Sequence, residues 1–386
     1  MTSAPDKAGG ALARLFVEAG ATWLDLAVLH PVEPFLEAAG EDIRRRIFVT
    51  EGASGERYCL RPDFTIPVCR HHLAIGAPAK NAARYAYEGL VFRRQAAGTP
   101  ERLETGFEAI GGRNEAEDDA AALALAADGL AALGATDLQI RIGDIGLFTA
   151  LLEALDLPAA WRRRLRRSFG VPALMAANLA RLAEPAEPDA GPDARGNALV
   201  DVKIARAAQA GDTEALAALV TDMLVAHGHI PGAGRNAAEI AGRYLDQRAL
   251  SETHLDAAVL QVLEAYLAID LPLAEAGGRL AAFASEASLD LAGPLALFAA
   301  RAAAIGERMA TDNIRFAGGF GRPLDYYTGL VFQITAGGHD DPVAGGGRYD
   351  RLMEMLGAAA PVPAIGFAIR LDRLGNPQTP AGEDAP

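Results

Sequence analysis

The sequence predicts an α+β protein, an antiparallel sheet with flanking helices that is interrupted by a helical insertion. Three observations predict it. Runs that alternate apolar and polar residues gather towards the two ends of the chain and are joined by short turn-like segments, whereas a doubly wound parallel sheet would alternate strand and helix throughout. From about 145 to 310, Ala, Leu, Arg and Glu recur at helical spacing and β-branched runs disappear. The 386 residues, 51% hydrophobic and 22% charged, suffice for two or three domains whose core needs no disulfide.

Taken in order, residues 8–21 carry an amphipathic helical pattern. IFVTE (47–51) and RYCLRP (57–62) flank Gly-Ala-Ser-Gly at 52–55, which predicts a hairpin. ARYAYEGLVFRRQ (83–95) reads as a strand, and LETGFEAIGG (103–112) as its partner across a polar loop. A helix over 115–134 starts with acidic residues, where the helix dipole favours them. The strand LQIRIG (138–143) follows. EPAEPDAGPDARGN (184–197) is a surface loop by composition, and LAGPLALFAARA (291–302) is helical. Strand-like runs return as IRFAGGF, YYTGLVFQI and AIGFAIRLD. The expected domains are residues 1–145 and 266–375 as two parts of one core, 146–265 as the helical insertion, and 376–386 as a disordered tail.

Charge and composition narrow the function. Thirty-six Lys and Arg against 50 Asp and Glu leave a net charge of −14, which disfavours a surface built to neutralise nucleic-acid phosphates. Two cysteines make neither a disulfide framework nor a four-ligand zinc site and point to a reducing compartment. With no secretory pattern at the start and no long apolar run, a cytoplasmic protein without membrane contact is expected. GxxxxGK[ST], GxGxxG at a strand–helix turn, HExxH and CxxC are all absent. The adjacent His71 and His72 would point apart rather than share a metal. His227 and His229 have a chelating spacing but read better as a solvated loop, and Arg162–Arg167 as a solvated helix face.

Three segments carry chemistry. Arg61-Pro62-Asp63-Phe64-Thr65 ends a strand with a carboxylate and a hydroxyl suited to an ammonium group; the structural alternative is that Asp63 or Thr65 caps a following helix. Phe92-Arg93-Arg94-Gln95 and Glu104-Thr105-Gly106-Phe107-Glu108 lie on neighbouring strands, where alternation brings Arg93 and one or two glutamates to one face. That is a carboxylate clamp beside amine acceptors, or a cross-strand salt bridge on a solvated face. Gly321-Arg322-Pro323-Leu324-Asp325-Tyr326-Tyr327-Thr328-Gly329 is followed by Ala344-Gly345-Gly346-Gly347-Arg348-Tyr349-Asp350. Here glycines admit a ligand and tyrosines supply hydroxyls, the alternative being a hairpin with glycine corners.

Together these segments resemble the catalytic domain of class II aminoacyl-tRNA synthetases, the histidyl enzymes in particular. FRRQ with GFEAIG resembles the second class II motif, and GRPLDYYTG and AGGGRYD resemble the two histidine signatures. AIGFAIRLDRL (364–374) resembles the third motif, with Arg373 at its arginine, and RPDFT resembles the RPEGT-type segment. The resemblance covers roughly 10–145 and 265–375. It implies a first motif at about 16–50 that forms a homodimer interface. It also implies a histidine whose ammonium and carboxylate meet Asp63, Thr65 and Arg93, and whose imidazole meets Glu108, Tyr326 and Tyr327, with Glu104 and Arg322 nearby.

The departures matter as much. Gln95 stands where the motif has glutamate, Arg370 where it has glycine, and Phe64 where RPEGT has glycine. The chain is also expected to lack the anticodon-binding domain. This combination resembles the regulatory subunits of short-form ATP phosphoribosyltransferase. That resemblance implies no catalysis and no cofactor, but a hetero-octamer with a catalytic subunit, activation of that subunit, and feedback inhibition by L-histidine, without tRNA. A truncated histidine-activating ligase is the alternative, and a histidine-binding module without a partner is a third.

Overall fold

A computed structural model of the chain describes residues 10–38, 40–76, 82–95, 98–184, 253–322, 324, 326–338 and 340–374, with shorter stretches between 203 and 250. The expected tail at 376–386, His227, His229 and nearly all of the 184–197 loop lie outside the described residues. By internal packing the chain divides into two units. One comprises residues 1–154, 167–172 and 264–386, and the other residues 155–166 and 173–263.

The first unit is organised by a nine-stranded sheet. Its strands are β1 (Thr22–Trp23), β5 (Ala83–Phe92), β6 (Glu101–Ile110), β7 (Gln139–Asp144), β8 (Asp270–Pro272), β9 (Ile314–Ala317), β10 (Leu330–Thr335), β11 (Ala344–Arg348) and β12 (Ala364–Arg370), in the order β1-β5-β6-β12-β11-β10-β7-β9-β8. A second sheet, β2 (Leu29–Pro31), β4 (Arg57–Leu60) and β3 (Val49–Glu51), contains the hairpin expected around 52–55. The β5–β6 pair runs in register from Ala83 opposite Ile110 to Phe92 opposite Glu101.

The expected antiparallel pairing holds through the sheet with two exceptions, because β1 pairs β5 and β7 pairs β9 in parallel. Parallel neighbours need a long crossover, and the 169 residues between Asp144 and Ile314 supply one. The run AGGGR, whose alternative reading was a glycine corner, is a central strand between β10 and β12.

Alternation gives the sheet two different faces. On one, Phe107 of β6 and Phe367 of β12 lie opposite each other and pack on Phe16 of α1 (Gly10–Glu18), with ring centroids 5.8 and 5.9 Å away. The long helix α5 (Glu115–Ala132) covers the same side. Asn114 caps it by accepting from the Glu117 amide at 3.4 Å, and Glu115, Glu117 and Asp118 occupy its first turn.

The remaining helices of this unit are α2 (Glu33–Ala38), α3 (Gly40–Arg46), α4 (Thr65–Ala74), α6 (Ile145–Ala154), α11 (Leu273–Glu286), α12 (Ala292–Arg308) and the short α13 (Leu352–Met355). Helices α7 (Ala159–Ser168), α8 (Pro172–Ala183), α9 (Thr213–Ala226) and α10 (Ala257–Leu267) belong wholly or mainly to the second unit. In α7, Trp161 and Leu165 are buried, and Arg164 donates to Asn178 of α8 at 2.6 Å. No described helix is long and apolar enough to cross a membrane.

Behind the sheet lies a buried ion network. Arg301 of α12 donates through Nε to Asp119 Oδ2 at 2.6 Å, through Nη2 to Glu115 at 3.0 Å, and through Nη1 to Asp144. Arg348 of β11 donates through Nε to the other oxygen of Asp119 at 2.8 Å and through Nη1 to Asp350 at 3.0 Å. Asp119 is fully buried, and each arginine is 1% exposed. Removing one partner of such a cluster strands an uncompensated charge. Asp119→Asn is therefore expected to lower stability by about 3–5 kcal/mol, measured as a shift in urea midpoint; a loss under about 1 kcal/mol would show that the network carries little stability.

Candidate functional site

The face of the sheet opposite Phe107 and Phe367 lines a pocket. Register places Tyr87, Gly89 and Val91 of β5 beside Gly106, Glu104 and Arg102 of β6, and these beside Ala368 and Arg370 of β12. Gly345 and Gly347 of β11 continue the same face. The small residues are what make the hollow. A Cβ on Gly366 would fall 1.6 Å from Glu108 Oε2, and one on Gly345 would fall 1.8 Å from an Arg322 nitrogen. These glycines let two charged side chains lie flat across the strands. About 650 Å³ of the space above them is unfilled by atoms, part of it open to solvent.

Glu108 is 1% exposed and forms a knot in the pocket wall. Thr65 donates to its Oε1 at 2.7 Å, Tyr87 to the same oxygen at 3.3 Å, and Tyr349 to Oε2. Burial pushes its carboxyl up to about 7, against the opposing effect of these donors. Asp63, 5% exposed, closes the loop before α4. Its Oδ1 accepts from the Ile66 amide at 3.2 Å, while Oδ2 is buried and has no partner. Phe64 is the N-cap residue of α4, so Asp63 is not its cap, but one Asp63 oxygen satisfies a first-turn amide and the other stays unpartnered. Burial raises Asp63 to about 6, although Arg93 opposes the shift.

Around these carboxylates stand the other residues singled out from sequence. Arg93 is fixed by an Nε bond to the Pro62 carbonyl at 2.7 Å, just beyond the end of β5. Tyr326 and Tyr327 are buried with ring centroids 5.0 Å apart, and burial raises both hydroxyls. Asp63, Thr65, Arg93, Glu104, Arg322, Tyr326 and Tyr327 all line the pocket, and Glu108 is bonded to lining residues.

The lining also includes Tyr87 and Arg102, which the sequence reading left out, and Tyr349 and Arg370, which it noted without assigning them to the histidine site. Tyr87 and Tyr349 were findable, because each falls on the pocket side by simple alternation from Glu108 and Gly347. Gln95 does not face an open ligand site. It donates to the Thr99 carbonyl at 2.6 Å and accepts from Arg102 at 2.7 Å. Phe64 stacks on Tyr87 at 4.3 Å, with Arg61 4.1 Å over its ring. Arg373 donates to the Pro342 carbonyl at 2.9 Å. His71 and His72 pack edge-on against Tyr85, and the described residues contain no group of His, Cys, Asp or Glu able to hold a metal ion.

The nine-stranded sheet, with a polar pocket over its glycine-floored centre, defines a class II aminoacyl-tRNA synthetase-like domain of the histidyl type. A family profile described as histidyl-tRNA synthetase matches residues 6–223 and 241–374. The fold is similar to that of a crystal structure from Alicyclobacillus acidocaldarius titled histidine–tRNA ligase subunit, at 25% identity and a TM-score of 0.53, covering 97% of this chain and 94% of that one. It is also similar to a Bacillus halodurans structure titled ATP phosphoribosyltransferase regulatory subunit/histidyl-tRNA synthetase, at 19% identity and a TM-score of 0.57, covering 97% and 80%. In sequence the chain is 43% identical over 378 residues to the ATP phosphoribosyltransferase regulatory subunit of Chelativorans sp. (strain BNC1), covering 97% of this chain and 98% of that protein. The Brucella anthropi protein of the same name is 43% identical over 91% of this chain and 92% of its own length. The chain belongs to the family of ATP phosphoribosyltransferase regulatory subunits.

A carboxyl raised in the folded protein binds its proton more tightly there than in the unfolded chain, so its contribution weakens stability as pH rises. For Glu108 the window runs from about the ordinary value of 4.5 up to about 7, and each unit of difference is worth about 1.4 kcal/mol. The ligand-free protein is expected to lose stability between pH 5 and 7, and Glu108→Gln to flatten that slope. Parallel urea titrations check this; equal slopes would mean that Glu108 is ionised throughout.

Proposed function

We propose that this chain is the non-catalytic regulatory partner of a short-form ATP phosphoribosyltransferase catalytic subunit in histidine biosynthesis, and that its pocket takes free L-histidine as feedback effector. The observation that carries the ligand assignment is the buried, unpartnered Oδ2 of Asp63 in a pocket that is also lined by Glu104, Arg93 and Arg322. An unpaired buried carboxylate oxygen is costly, and an ammonium group satisfies it. Asp63 and Thr65 hold the ammonium and Arg93 the carboxylate. The imidazole meets Glu108, Tyr326 and Tyr327, with Glu104 and Arg322 flanking it. A carboxylate with a tyrosine hydroxyl satisfies both imidazole nitrogens.

In this reading the subunit activates the catalytic chain within a hetero-octamer in the cytoplasm, and binds neither tRNA nor membrane. It pairs with a second copy of itself through the segment at about 16–50. The half-exposed Leu29 and Val49 on the small sheet, with Val28 just before it, support an interface there. Histidine then shifts the assembly towards its inhibited state by binding that state more tightly; a coupling of about 1–3 kcal/mol gives about 5–150-fold regulation.

Calorimetry on the lone chain and on the complex is expected to show histidine binding. Tyr326→Phe and Glu108→Ala are expected to weaken it by about 1–3 kcal/mol, the cost of an unpaired buried polar group. Unchanged affinity in both folded variants would overturn the pocket assignment. Robust histidine-dependent ATP–pyrophosphate exchange would instead mark a histidine-activating ligase. Failure to bind and stimulate a short-form catalytic subunit would leave only a histidine-binding module.

A further inference from the structure

The pocket has an arginine-rich end whose Arg102 and Arg370 the histidine reading does not use. Arg370 lies opposite Glu104 across β12 and β6, and Arg102 lies two residues before Glu104 on the same face. Both line the pocket, and the Nε of Arg370 is buried without a hydrogen-bond partner. Arg93 and Arg373 add their fields at the same place, so four arginines face two carboxylates, Glu104 and Asp372. Burial, followed by the neighbouring arginines, lowers the proton affinity of Arg370 to about 10, which leaves it charged at neutral pH.

Half-buried like charges repel, and the chain holds them together in a protein whose net charge is −14. Guanidinium groups on adjacent strands present forked donors that match a phosphate-type oxyanion. A nucleobase fits this end poorly. Both faces of Phe64 are taken, one by Tyr87 and the other by Arg61, and the Gln95 amide is already bonded to the Thr99 carbonyl.

We propose that Arg102 and Arg370 form an oxyanion subsite, separate from the amino-acid positions, which binds a phosphate or diphosphate group without reading a base. The inference does not rest on the histidine assignment, because the subsite is assayed with no histidine present. A diphosphate spans neighbouring arginines better than a single phosphate and binds more tightly. The anion is either free or the phosphorylated end of a sugar phosphate.

The test is calorimetry and thermal melting of the full chain in low-chloride buffer with inorganic phosphate, inorganic diphosphate, ribose 5-phosphate and ADP as separate probes. Diphosphate is expected to bind and to raise the melting temperature, with an affinity that falls steeply with salt. Arg370→Gln and Arg102→Gln are each expected to weaken it at least tenfold and to leave histidine affinity within about threefold. Arg370→Lys keeps the charge but loses the fork, and is expected to fall between wild type and Arg370→Gln. Ribose 5-phosphate binding more tightly than phosphate would place the anion on a sugar, and equal binding would assign a free ion; either result supports the subsite. No diphosphate binding, undiminished binding in both glutamine variants, or ADP binding at least tenfold more tightly than diphosphate would overturn it. If histidine fails to bind wild type while diphosphate binds as expected, the histidine reading falls and the subsite stands.

Discussion

Asp119 is one buried carboxylate shared by two buried arginines, and the rest of the first unit is arranged around it. Its two oxygens face Arg301 of α12 and Arg348 of β11, so a residue of α5 ties a helix nearly two hundred positions away to the centre of the sheet. Burying these charges is expensive, and only a nearly complete set of partners makes it tolerable. Arg301 meets that need by also engaging Asp144 and Glu115, and Arg348 by engaging Asp350 and the Glu115 carbonyl. The demand for complete pairing fixes where β11 lies. Because alternation sends Arg348 to the helices and Tyr349 to the other side, it also fixes the hydroxyl that meets Glu108. The pocket inherits its geometry from an ion network behind the sheet.

The floor of the pocket follows from the same placement. β11 is held centrally by its ion pair and by pairing on both edges, so three of its five residues can be glycine despite glycine's entropic cost and weak strand preference. The glycines are not there for turns. Gly345 of β11 and Gly366 of β12 leave the space into which Arg322 and Glu108 extend, and a Cβ on either would displace a charged group rather than fill an apolar gap. Rigidity comes from the ladder, and the polar surface from side chains that neighbouring strands lay across it.

This division explains what the sequence disclosed. The β3–β4 hairpin, the β5–β6 pair and α5 were legible because period, turn residues and capping agree locally, as at Asn114 with its acidic first turn. The parallel β7–β9 pair was not, since nothing within LQIRIG or IRFAGGF specifies a partner 169 residues away; the crossover does. AGGGR was ambiguous because its strand character lies in its neighbours, not in its own propensity. The eight residues inferred for the site converge because their motifs are short and strictly spaced. Arg102 escaped notice because it matters only through the register that sets Glu104 against Arg370, which a single strand does not reveal.

The last constraint concerns charge within the pocket. The pocket holds carboxylates and arginines together, yet Glu108 and Asp63 form no ion pair among the described residues. Glu108 and Asp63 are raised to about 7 and about 6 instead of being paired with Arg102 and Arg370. Opposite charges kept apart in a half-buried hollow raise the free energy of the empty site, and whatever ligand bridges them relieves it. On the proposed reading, a ligand with a cationic end pulls the raised carboxylates towards ionisation and releases protons as it binds. A site that is costly empty and relieved when occupied supplies the differential affinity that linkage requires, since a ligand can shift an assembly only by the difference in its interaction with the two states. Much of the chemistry kept in this pocket therefore serves to make occupancy count, a requirement that a regulatory subunit has even when it transforms nothing.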